Sequence, residues 1–249
     1  MMTIKRLQNY LGKQLFGTKE TEPEKAYDLW AANYDGQPDN LMLALDEEVF
    51  STLLNEIEIK DKILVDVGCG TGRHWKKIID RQPKKITGFD VSEKMLAMLR
   101  QKFPQSETRH LINHKLNGLV DNSCDIIIST LTIAHIKNIE EALKEWMRLL
   151  KPGGDIIITD YHPTALANGA DRTFNYKNKK VAIINYTHPI EKIKIIIAGL
   201  HLKVIKTIEK NIDKAAKPYY EKQNALVVFE KWKNMPIIYG LQLKKDDII

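Results

Sequence analysis

Residues 65–73 read Val65-Asp66-Val67-Gly68-Cys69-Gly70-Thr71-Gly72-Arg73, and this stretch decides the fold class of the chain. An apolar run that starts at Ile63 ends there in three glycines spaced two residues apart, and a helical pattern begins at Arg73. Glycine adopts positive φ angles and lets a ligand approach the backbone without a Cβ in the way. The first N–H groups of a helix have no intrahelical partner and can bind a polar ligand. The stretch therefore predicts a strand, a glycine turn and a helix that form a nucleotide-type site at the carboxyl edge of an open sheet.

The acidic residue at the end of the next predicted strand indicates which ligand this site binds. The segment 85–92 predicts a second strand that ends at Asp90, 22 residues after Gly68. A carboxylate at the tip of that strand can accept hydrogen bonds from both hydroxyl groups of a ribose. We therefore expect a ligand that contains adenosine.

Two details favour one kind of adenosine ligand over another. The dinucleotide fingerprint G-x-G-x-x-G needs a third glycine, and Arg73 stands at that position. Asp66 lies two residues before the first glycine, where its carboxylate can meet an ammonium group directly or through water. A nicotinamide dinucleotide has no ammonium group, so a nicotinamide oxidoreductase is the less favoured alternative.

The segment 66–72 resembles the D/E-x-G-x-G-x-G signature of class I S-adenosylmethionine (SAM) methyltransferases and matches it at every fixed position. Further segments resemble later motifs of the same family in order and spacing. The first is Asp90-Val91-Ser92 with Met95-Leu96. The second is the segment 121–128, in which Cys124 replaces the usual aromatic residue. The third is Leu149-Leu150-Lys151-Pro152-Gly153-Gly154, followed by residues 155–159. The resemblance covers about residues 60 to 162.

The resemblance and the alternation of strand and helix patterns imply an α/β fold with a Rossmann-like, doubly wound, mostly parallel sheet. The resemblance also implies an antiparallel last strand. We expect residues 1–58 to form an N-terminal helical cap. Residues 59–249 are expected to form the SAM-binding domain, with a small lid insertion after strand 5 at about 164–188.

The resemblance implies S-adenosyl-L-methionine as the cofactor. The residues expected to bind it in the core domain are Asp66, Gly68, Cys69, Gly70, Asp90, Val91, Asn113, His114 and Thr130, with Asn113 standing where the family often has an acid. The segment 26–35 resembles a Y-D-x-W-A-x-x-Y-D cap over the methionine end of the cofactor, which adds Tyr27 and Tyr34. The alternative role for these aromatic residues is to anchor the cap helix on the core, and both roles are compatible.

Methyl transfer from a sulfonium ion requires mainly alignment of the nucleophile and exclusion of water, and orientation alone can supply about 7–11 kcal/mol. An oxygen or nitrogen acceptor can still need a base, for which histidine is the usual residue near neutral pH. His135 follows the fourth core strand and His162 follows the fifth, so both are candidate catalytic residues. For either histidine the alternative is a hydrogen bond to a loop. Asp160 and Tyr161 are expected to line the substrate wall.

We therefore predict a SAM-dependent methyltransferase that acts on an O or N atom of a small molecule. RNA or protein methylation is the first alternative, and a SAM-binding module without catalysis is another. Enzymes that methylate a base amino group usually carry an Asn/Asp-Pro-Pro-aromatic motif after this strand, where the chain has Ser129-Thr130-Leu131-Thr132.

Composition limits the location and the partners that we expect. The net charge is +6, but the lysines are scattered among acidic residues, which gives no strong nucleic-acid signal. No apolar run approaches the ~20 residues that cross a bilayer, and no secretory signal is evident. Two cysteines, Cys69 and Cys124, indicate neither a disulfide framework nor a metal site. We expect a cytoplasmic protein.

Residues 3–16 have a basic amphipathic pattern that is typical of a helix. We favour docking of this helix on its own domain over binding to a membrane surface.

Overall fold

Strands and helices alternate along most of the chain. The computed structural model describes residues 19–113 and 115–247. The strands are β1 (Lys19–Thr21), β2 (Ile63–Val67), β3 (Lys85–Asp90), β4 (Glu107–His110), β5 (Cys124–Thr130), β6 (Leu150–Tyr161), β7 (Thr173–Tyr176), β8 (Lys179–Ile183), β9 (Leu202–Asn211) and β10 (Pro236–Lys245). The α-helices are α1 (Pro23–Trp30), α2 (Leu41–Leu54), α3 (Trp75–Ile79), α4 (Glu93–Lys102), α5 (Ile139–Leu149), α6 (Pro163–Ala167), α7 (Ile190–Gly199), α8 (Lys217–Lys222) and α9 (Leu226–Trp232).

A seven-stranded sheet forms the centre of the fold, in the order β4-β3-β2-β5-β6-β10-β9. The strands from β4 to β6 run parallel to one another. The last strand, β10, runs antiparallel to both of its neighbours. The predicted α/β class, with a Rossmann-like, mostly parallel sheet and an antiparallel last strand, is confirmed.

The central strands form because their residues are apolar on both faces, as parallel strands covered by helices require. In β2, Leu64, Val65 and Val67 are buried. Helix α5 covers one face with an apolar stripe that includes Leu143 and Trp146. The helix is amphipathic because such residues recur at helical spacing.

The parallel register brings the site residues to one edge of the sheet. Val67 pairs with Phe89, and Thr130 pairs with Thr159. The residues that follow these four positions therefore lie together beyond the carboxyl ends of the strands. The strand order reverses between β2 and β5, which is where open α/β sheets bind ligands.

Helix α2 packs against the other face of the central sheet. A Cβ atom added at Gly240 of β10 would lie 2.5 Å from Val49 Cγ1, so the missing side chain lets this helix approach closely. Val49, Phe50 and Leu53 are fully buried there. The predicted cap of residues 1–58 includes this helix, which packs on the sheet of the predicted main domain. The division at residue 58 stays a prediction.

A small second sheet joins the N-terminal segment to the region after β6. Its order is β1-β8-β7, with β1 parallel to β8 and β7 antiparallel to β8. Glu20 pairs with Ala182 in this sheet. The strands β7 and β8 form a hairpin inside the expected lid insertion at about 164–188. The pairing of β1 with this hairpin was not expected from the sequence.

The largest difference in element bounds concerns β6. The sequence predicts that this strand begins at residue 155 after a turn, whereas it begins at Leu150. Leu150 pairs with Cys124 ahead of an irregularity in the register, which extends the strand toward α5. The helix expected in residues 3–16 lies outside the described residues. In the described ranges, no helix is both long and apolar enough to span a bilayer.

Candidate active site

A cavity of about 620 Å³ lies beyond the ends of β2, β3 and β5, and we refer to it as the first cavity. Volumes of about 300–1,000 Å³ are typical of small-molecule sites. The glycine turn, the end of β3 and the loop after β5 form its floor, and α1 contributes to its cover. The predicted residues that line it are Tyr27, Tyr34, Gly68, Gly70, Asp90, Val91, Asn113, Thr130 and His135. His114, which we also expected there, lies outside the described residues.

The glycine turn is fixed by hydrogen bonds to the neighbouring strand. The N–H groups of Gly68 and Cys69 donate to the carbonyl of Phe89 at 2.7 and 3.0 Å. Gly68 and Gly70 have φ angles of 75° and 53°, which favour glycine. A Cβ at Gly68 would overlap Thr132, whereas a Cβ at Gly70 would meet no atom within 4 Å. Gly68 therefore serves packing, and Gly70 leaves its side of the turn open to a ligand.

The carboxylate of Asp90 is held in place by the backbone. The N–H of Gly70 donates to one of its oxygens, and the N–H of Ser92 donates to the other, both at 2.8 Å. A carboxylate oxygen can accept a second hydrogen bond, so both oxygens can still bind hydroxyl groups. Burial raises the pKa of Asp90 to about 6. This buried, oriented acceptor fits the role expected at the ribose.

Asp66 does not line the first cavity but a small recess of about 30 Å³ beside it. Arg73 and Tyr34 line the same recess. The indole N–H of Trp75 donates to Asp66 at 2.7 Å, which leaves the other carboxylate oxygen without a side-chain donor among the described contacts. Burial raises the pKa of Asp66 to about 6. Cys69 also lines the recess, and burial raises the pKa of its thiol well above the ordinary value.

His135 faces the first cavity but its ring nitrogens are both in hydrogen bonds. Its Nδ1 lies 2.9 Å from the carbonyl of Ile184, so this nitrogen donates. Its Nε2 therefore accepts, and its partners are the hydroxyl of Tyr27 at 2.9 Å and the guanidinium of Arg172. Burial, and then the charge of Arg172, hold the pKa of His135 well below its usual range. The imidazole is neutral, and it can act as a base only after Tyr27 and Arg172 leave Nε2. Its catalytic role stays a prediction.

Arg172 connects the lid to the strand ends, and no sequence motif pointed to it. Its guanidinium is 4% exposed and donates to Asp160 at 3.0 Å and to the hydroxyl of Tyr27 at 2.7 Å. It also lies 4.6 Å from the centre of the Tyr161 ring. Contacts of this kind depend on the fold, because residues from three distant segments meet there.

Asp160 and Tyr161 differ in where they point. The second oxygen of Asp160 accepts from the N–H of Ala134 at 2.6 Å, and the residue is 1% exposed. Asp160 therefore anchors Arg172 and lines neither the first cavity nor the cavity that Tyr161 faces, contrary to the expectation that it forms part of the substrate wall. Tyr161 faces a separate cavity on the other side of the cap.

The structure does not place His162 in the site. The prediction rested on its position after β6, but Pro163 begins helix α6 at once. His162 is the residue before that helix, and its Nδ1 accepts from the N–H of Thr164 at 3.1 Å. Its side chain is buried away from both the first cavity and the recess. The predicted catalytic role of His162 is not supported, because the side chain caps a helix and does not line the first cavity.

Comparison with known families agrees with this geometry. Residues 65–158 match the profile of a family described as "Methyltransferase domain", and this range includes Asp66, the glycine turn, Asp90 and His135. Residues 65–158 therefore carry a methyltransferase domain, and the predicted resemblance to class I SAM methyltransferases is confirmed for this part of the chain. S-adenosyl-L-methionine is the cofactor that the family and the fold imply, and the recess with Asp66 and the open face at Gly70 fit its amino-acid end.

Relatives of this chain carry several names. The chain is 26% identical over 159 residues to malonyl-[acyl-carrier protein] O-methyltransferase of Marinomonas, a match that covers 63% of the chain and 57% of the relative. It is 33% identical over 99 residues to demethylmenaquinone methyltransferase of Chlorobaculum parvum, covering 40% of each. It is 30% identical over 110 residues to tRNA U34 carboxymethyltransferase of Helicobacter acinonychis, covering 42% of each. The chain spans about half the length of the curated relatives it matches.

Solved structures share the fold at low identity. A SAM-dependent methyltransferase from Mesorhizobium loti superposes with a TM-score of 0.61 at 16% identity, covering 79% of this chain and 97% of that one. The [4+2]-cyclase SpnF superposes with a TM-score of 0.65 at 15% identity, covering 92% and 97%. The fold therefore occurs in proteins whose named reactions differ.

We predict that Gly70→Val weakens the binding of S-adenosylhomocysteine by roughly 100-fold or more, because the new side chain would occupy the cavity. The positive φ angle at this position should cost only about 1–2 kcal/mol of stability. Isothermal titration and a thermal melt measure the two effects separately. Gly199→Val is the matched control, since a Cβ there also meets no atom within 4 Å but lies in α7, away from the cavity. Unchanged affinity in Gly70→Val would contradict the site.

We predict that Asp66→Asn stabilises the ligand-free protein at pH 8. A carboxyl group whose pKa is raised to about 6 on folding binds more protons in the folded state, so stability falls as the pH rises through that value. Removing the charge should gain about 2–3 kcal/mol at pH 8 and almost nothing at pH 4. The amide oxygen can keep the hydrogen bond from Trp75. Urea unfolding at the two pH values measures the difference.

Asp125→Asn is the control for that experiment, and its stability at pH 8 should change in the opposite direction. Burial tends to raise the pKa of Asp125, but the bonds from Lys151 and the N–H of Ile63 lower it overall. This variant should lose stability at pH 8. The same pH dependence in wild type and Asp66→Asn would show that the buried charge has no energetic effect.

Proposed function

We propose that this chain is a SAM-dependent methyltransferase that transfers a methyl group to an oxygen or nitrogen atom of a small molecule. The observation that carries the proposal is the first cavity of the methyltransferase domain. Asp90, a carboxylate that the backbone holds in place, and the open glycine turn line this cavity, and the recess beside it contains a second carboxylate, Asp66.

The roles of the residues follow from their positions. Asp90 would accept hydrogen bonds from the ribose hydroxyls, and Asp66 would balance the charge of the ammonium group. SAM, when bound, supplies a methyl group that is already activated by the positive sulfur. The chain has to orient the two reactants and exclude water, which Tyr27 and Tyr34 of the cap favour by covering the cavity.

The contacts between cap and lid support a small acceptor. Trp30 of the cap stacks on Phe174 of the lid with the ring centres 4.6 Å apart, and Arg172 of the lid donates to Tyr27. The backbone pairing of β1 with β8 adds to these contacts. Together they cover the strand ends, so that a folded RNA or protein would have to displace them. The relatives named above include one that acts on tRNA, so RNA methylation stays the alternative to test.

The charge distribution of the site argues in the same direction. Lysines beside the cap form ion pairs, such as Lys102 with Asp35 at 2.8 Å and Lys222 with Asp39 at 2.6 Å. Binding of nucleic acid depends on cations that are available to phosphates. Paired cations of this kind contribute less to such binding.

We predict that wild-type protein binds S-adenosylhomocysteine and that Asp90→Ala weakens this binding by about 2–4 kcal/mol, through the loss of two hydrogen bonds to a charged group. Isothermal titration at pH 7.5 measures both affinities. Asp80→Ala is the control, because Asp80 is an exposed acid that pairs only with Lys76 in the contacts described. Affinity for NADH but not for S-adenosylhomocysteine would contradict the proposal.

The wild-type affinity should also depend on pH. Protonation removes acceptor lone pairs from Asp90, whose pKa lies at about 6 in the free protein. We expect affinity to be highest above pH 6 and to fall below it, and Asp90→Ala to reduce this dependence.

The activity itself is tested by incubating the protein with methyl-labelled SAM and a cell extract separated into small molecules, RNA and protein. Label in the small-molecule fraction supports the proposal, and label confined to RNA or protein contradicts it.

A further inference from the structure

A second cavity, of about 980 Å³, lies on the other side of the cap from the first. The loop after α1, the lid, helix α8 and the end of β6 form its walls. Aromatic side chains from the end of α1, the lid, α8 and the end of β6 line it, namely Trp30, Tyr161, Phe174, Tyr219 and Tyr220. Neither the sequence motifs nor the cofactor site accounts for this grouping.

A thin wall of side chains separates the two cavities. Tyr34 lines the first cavity, and its ring centre lies 5.1 Å from that of Trp30, which lines the second. Arg172 lies over the ring of Tyr161 on one side and donates to Tyr27 on the other. A molecule in the second cavity is therefore one layer of side chains away from the cofactor cavity. The wall consists of residues from the cap and the lid, and Arg172 also joins it to Asp160 at the end of β6. A reaction between molecules in the two cavities therefore requires these side chains to move aside.

We propose that the second cavity is the acceptor site and that it binds a planar aromatic molecule with a hydroxyl group. This inference rests on the proposed function. The ring would lie among the aromatic side chains, and the hydroxyl group would point to the wall that contains Arg172.

The aromatic lining supports a planar ring. Each favourable contact between aromatic rings contributes about 0.5–1.5 kcal/mol beyond the area that it buries. Trp30 and Phe174 are each 7% exposed and already stacked, so they present a rigid edge to the cavity. Tyr219 is half-buried and has no hydrogen-bond partner among the contacts described here, so its ring is available to a ligand.

Most polar side chains that line the second cavity are amides or hydroxyls, such as Asn33, Asn40 and Gln223, and this lining supports a neutral hydroxyl group rather than a charged one. Its charged residues are Asp39, Asp171 and Lys180. Asp39 at the rim is paired with Lys222, and Arg172 at the wall is paired with Asp160.

The N–H groups on Nη1 of Arg172 already contact Tyr27, His135 and the carbonyl of Leu131, and one on Nη2 donates to Asp160. The second N–H of Nη2 and the N–H of Nε are left for a further oxygen. A cation beside a phenolic hydroxyl lowers its pKa and makes the oxygen a better nucleophile. This effect reduces the need for a base, which agrees with the engaged Nε2 of His135.

The reaction balances without any other reactant. The acceptor oxygen forms a bond to the methyl carbon while the bond from that carbon to sulfur breaks. The bonding electron pair stays on sulfur, which becomes the neutral thioether of S-adenosylhomocysteine. The hydroxyl proton passes to water.

The test measures binding of three probes to the protein saturated with S-adenosylhomocysteine. The probes are 2-naphthol, its saturated analogue decahydro-2-naphthol, and 2-methylnaphthalene, which keeps the rings but lacks the hydroxyl group. We expect 2-naphthol to bind roughly tenfold more tightly than the saturated analogue and at least about fivefold more tightly than 2-methylnaphthalene. Equilibrium dialysis measures all three affinities.

Variants locate the binding site. Tyr219→Ala should weaken the binding of 2-naphthol roughly fivefold, and Tyr219→Phe should restore it because the ring remains. Tyr176→Ala is the control, since Tyr176 is a half-buried lid tyrosine that does not line the cavity. All variants should bind S-adenosylhomocysteine as wild type does, because these residues lie outside the first cavity.

The outcomes separate this inference from the proposed function. Absence of 2-naphthol binding, equal affinity for the three probes, or full binding by Tyr219→Ala would each overturn the acceptor site. If wild-type protein does not bind S-adenosylhomocysteine in the first place, the proposed function fails and the acceptor assignment fails with it.

Discussion

The carboxylate of Asp90 is the constraint on which the site depends. It accepts one hydrogen bond from the glycine turn at Gly70 and another from Ser92 at the start of α4. A single buried side chain thereby fixes the end of one strand, the turn after its neighbour and the beginning of a helix. The arrangement requires a parallel register, because only then do β2 and β3 end side by side. Burial raises the pKa of this carboxyl group. Keeping the Asp90 carboxylate ionised in this position is therefore unfavourable in the absence of a ligand.

Much of this arrangement could be predicted from the sequence because it is local. The apolar runs, the glycine spacing and the acid at a strand end all lie within short segments. The bounds of β2 match the predicted strand, and Gly70 and Asp90, which were both predicted to bind the cofactor, are in hydrogen-bond contact. The antiparallel β10 was expected from the family resemblance, since no local pattern distinguishes a parallel from an antiparallel strand.

The features that could not be predicted depend on contacts between distant segments. Arg172 is a lone arginine in an irregular region, and its role follows only from Asp160, Tyr27 and His135 meeting around it. His162 was misplaced because sequence position after a strand does not tell which way a side chain turns. Its ring turned to cap α6, as a residue immediately before a proline-initiated helix can do. The lining of the second cavity likewise combines residues more than 200 positions apart, from Trp30 to Ile237.

The pairing of β1 with β8 has a mechanical consequence. Because backbone pairing joins three residues of β1 to β8, a displacement of the lid hairpin would also displace the segment that leads into α1. The covers that the N-terminal segment and the lid contribute to the two cavities are therefore coupled through the backbone and not only through side chains.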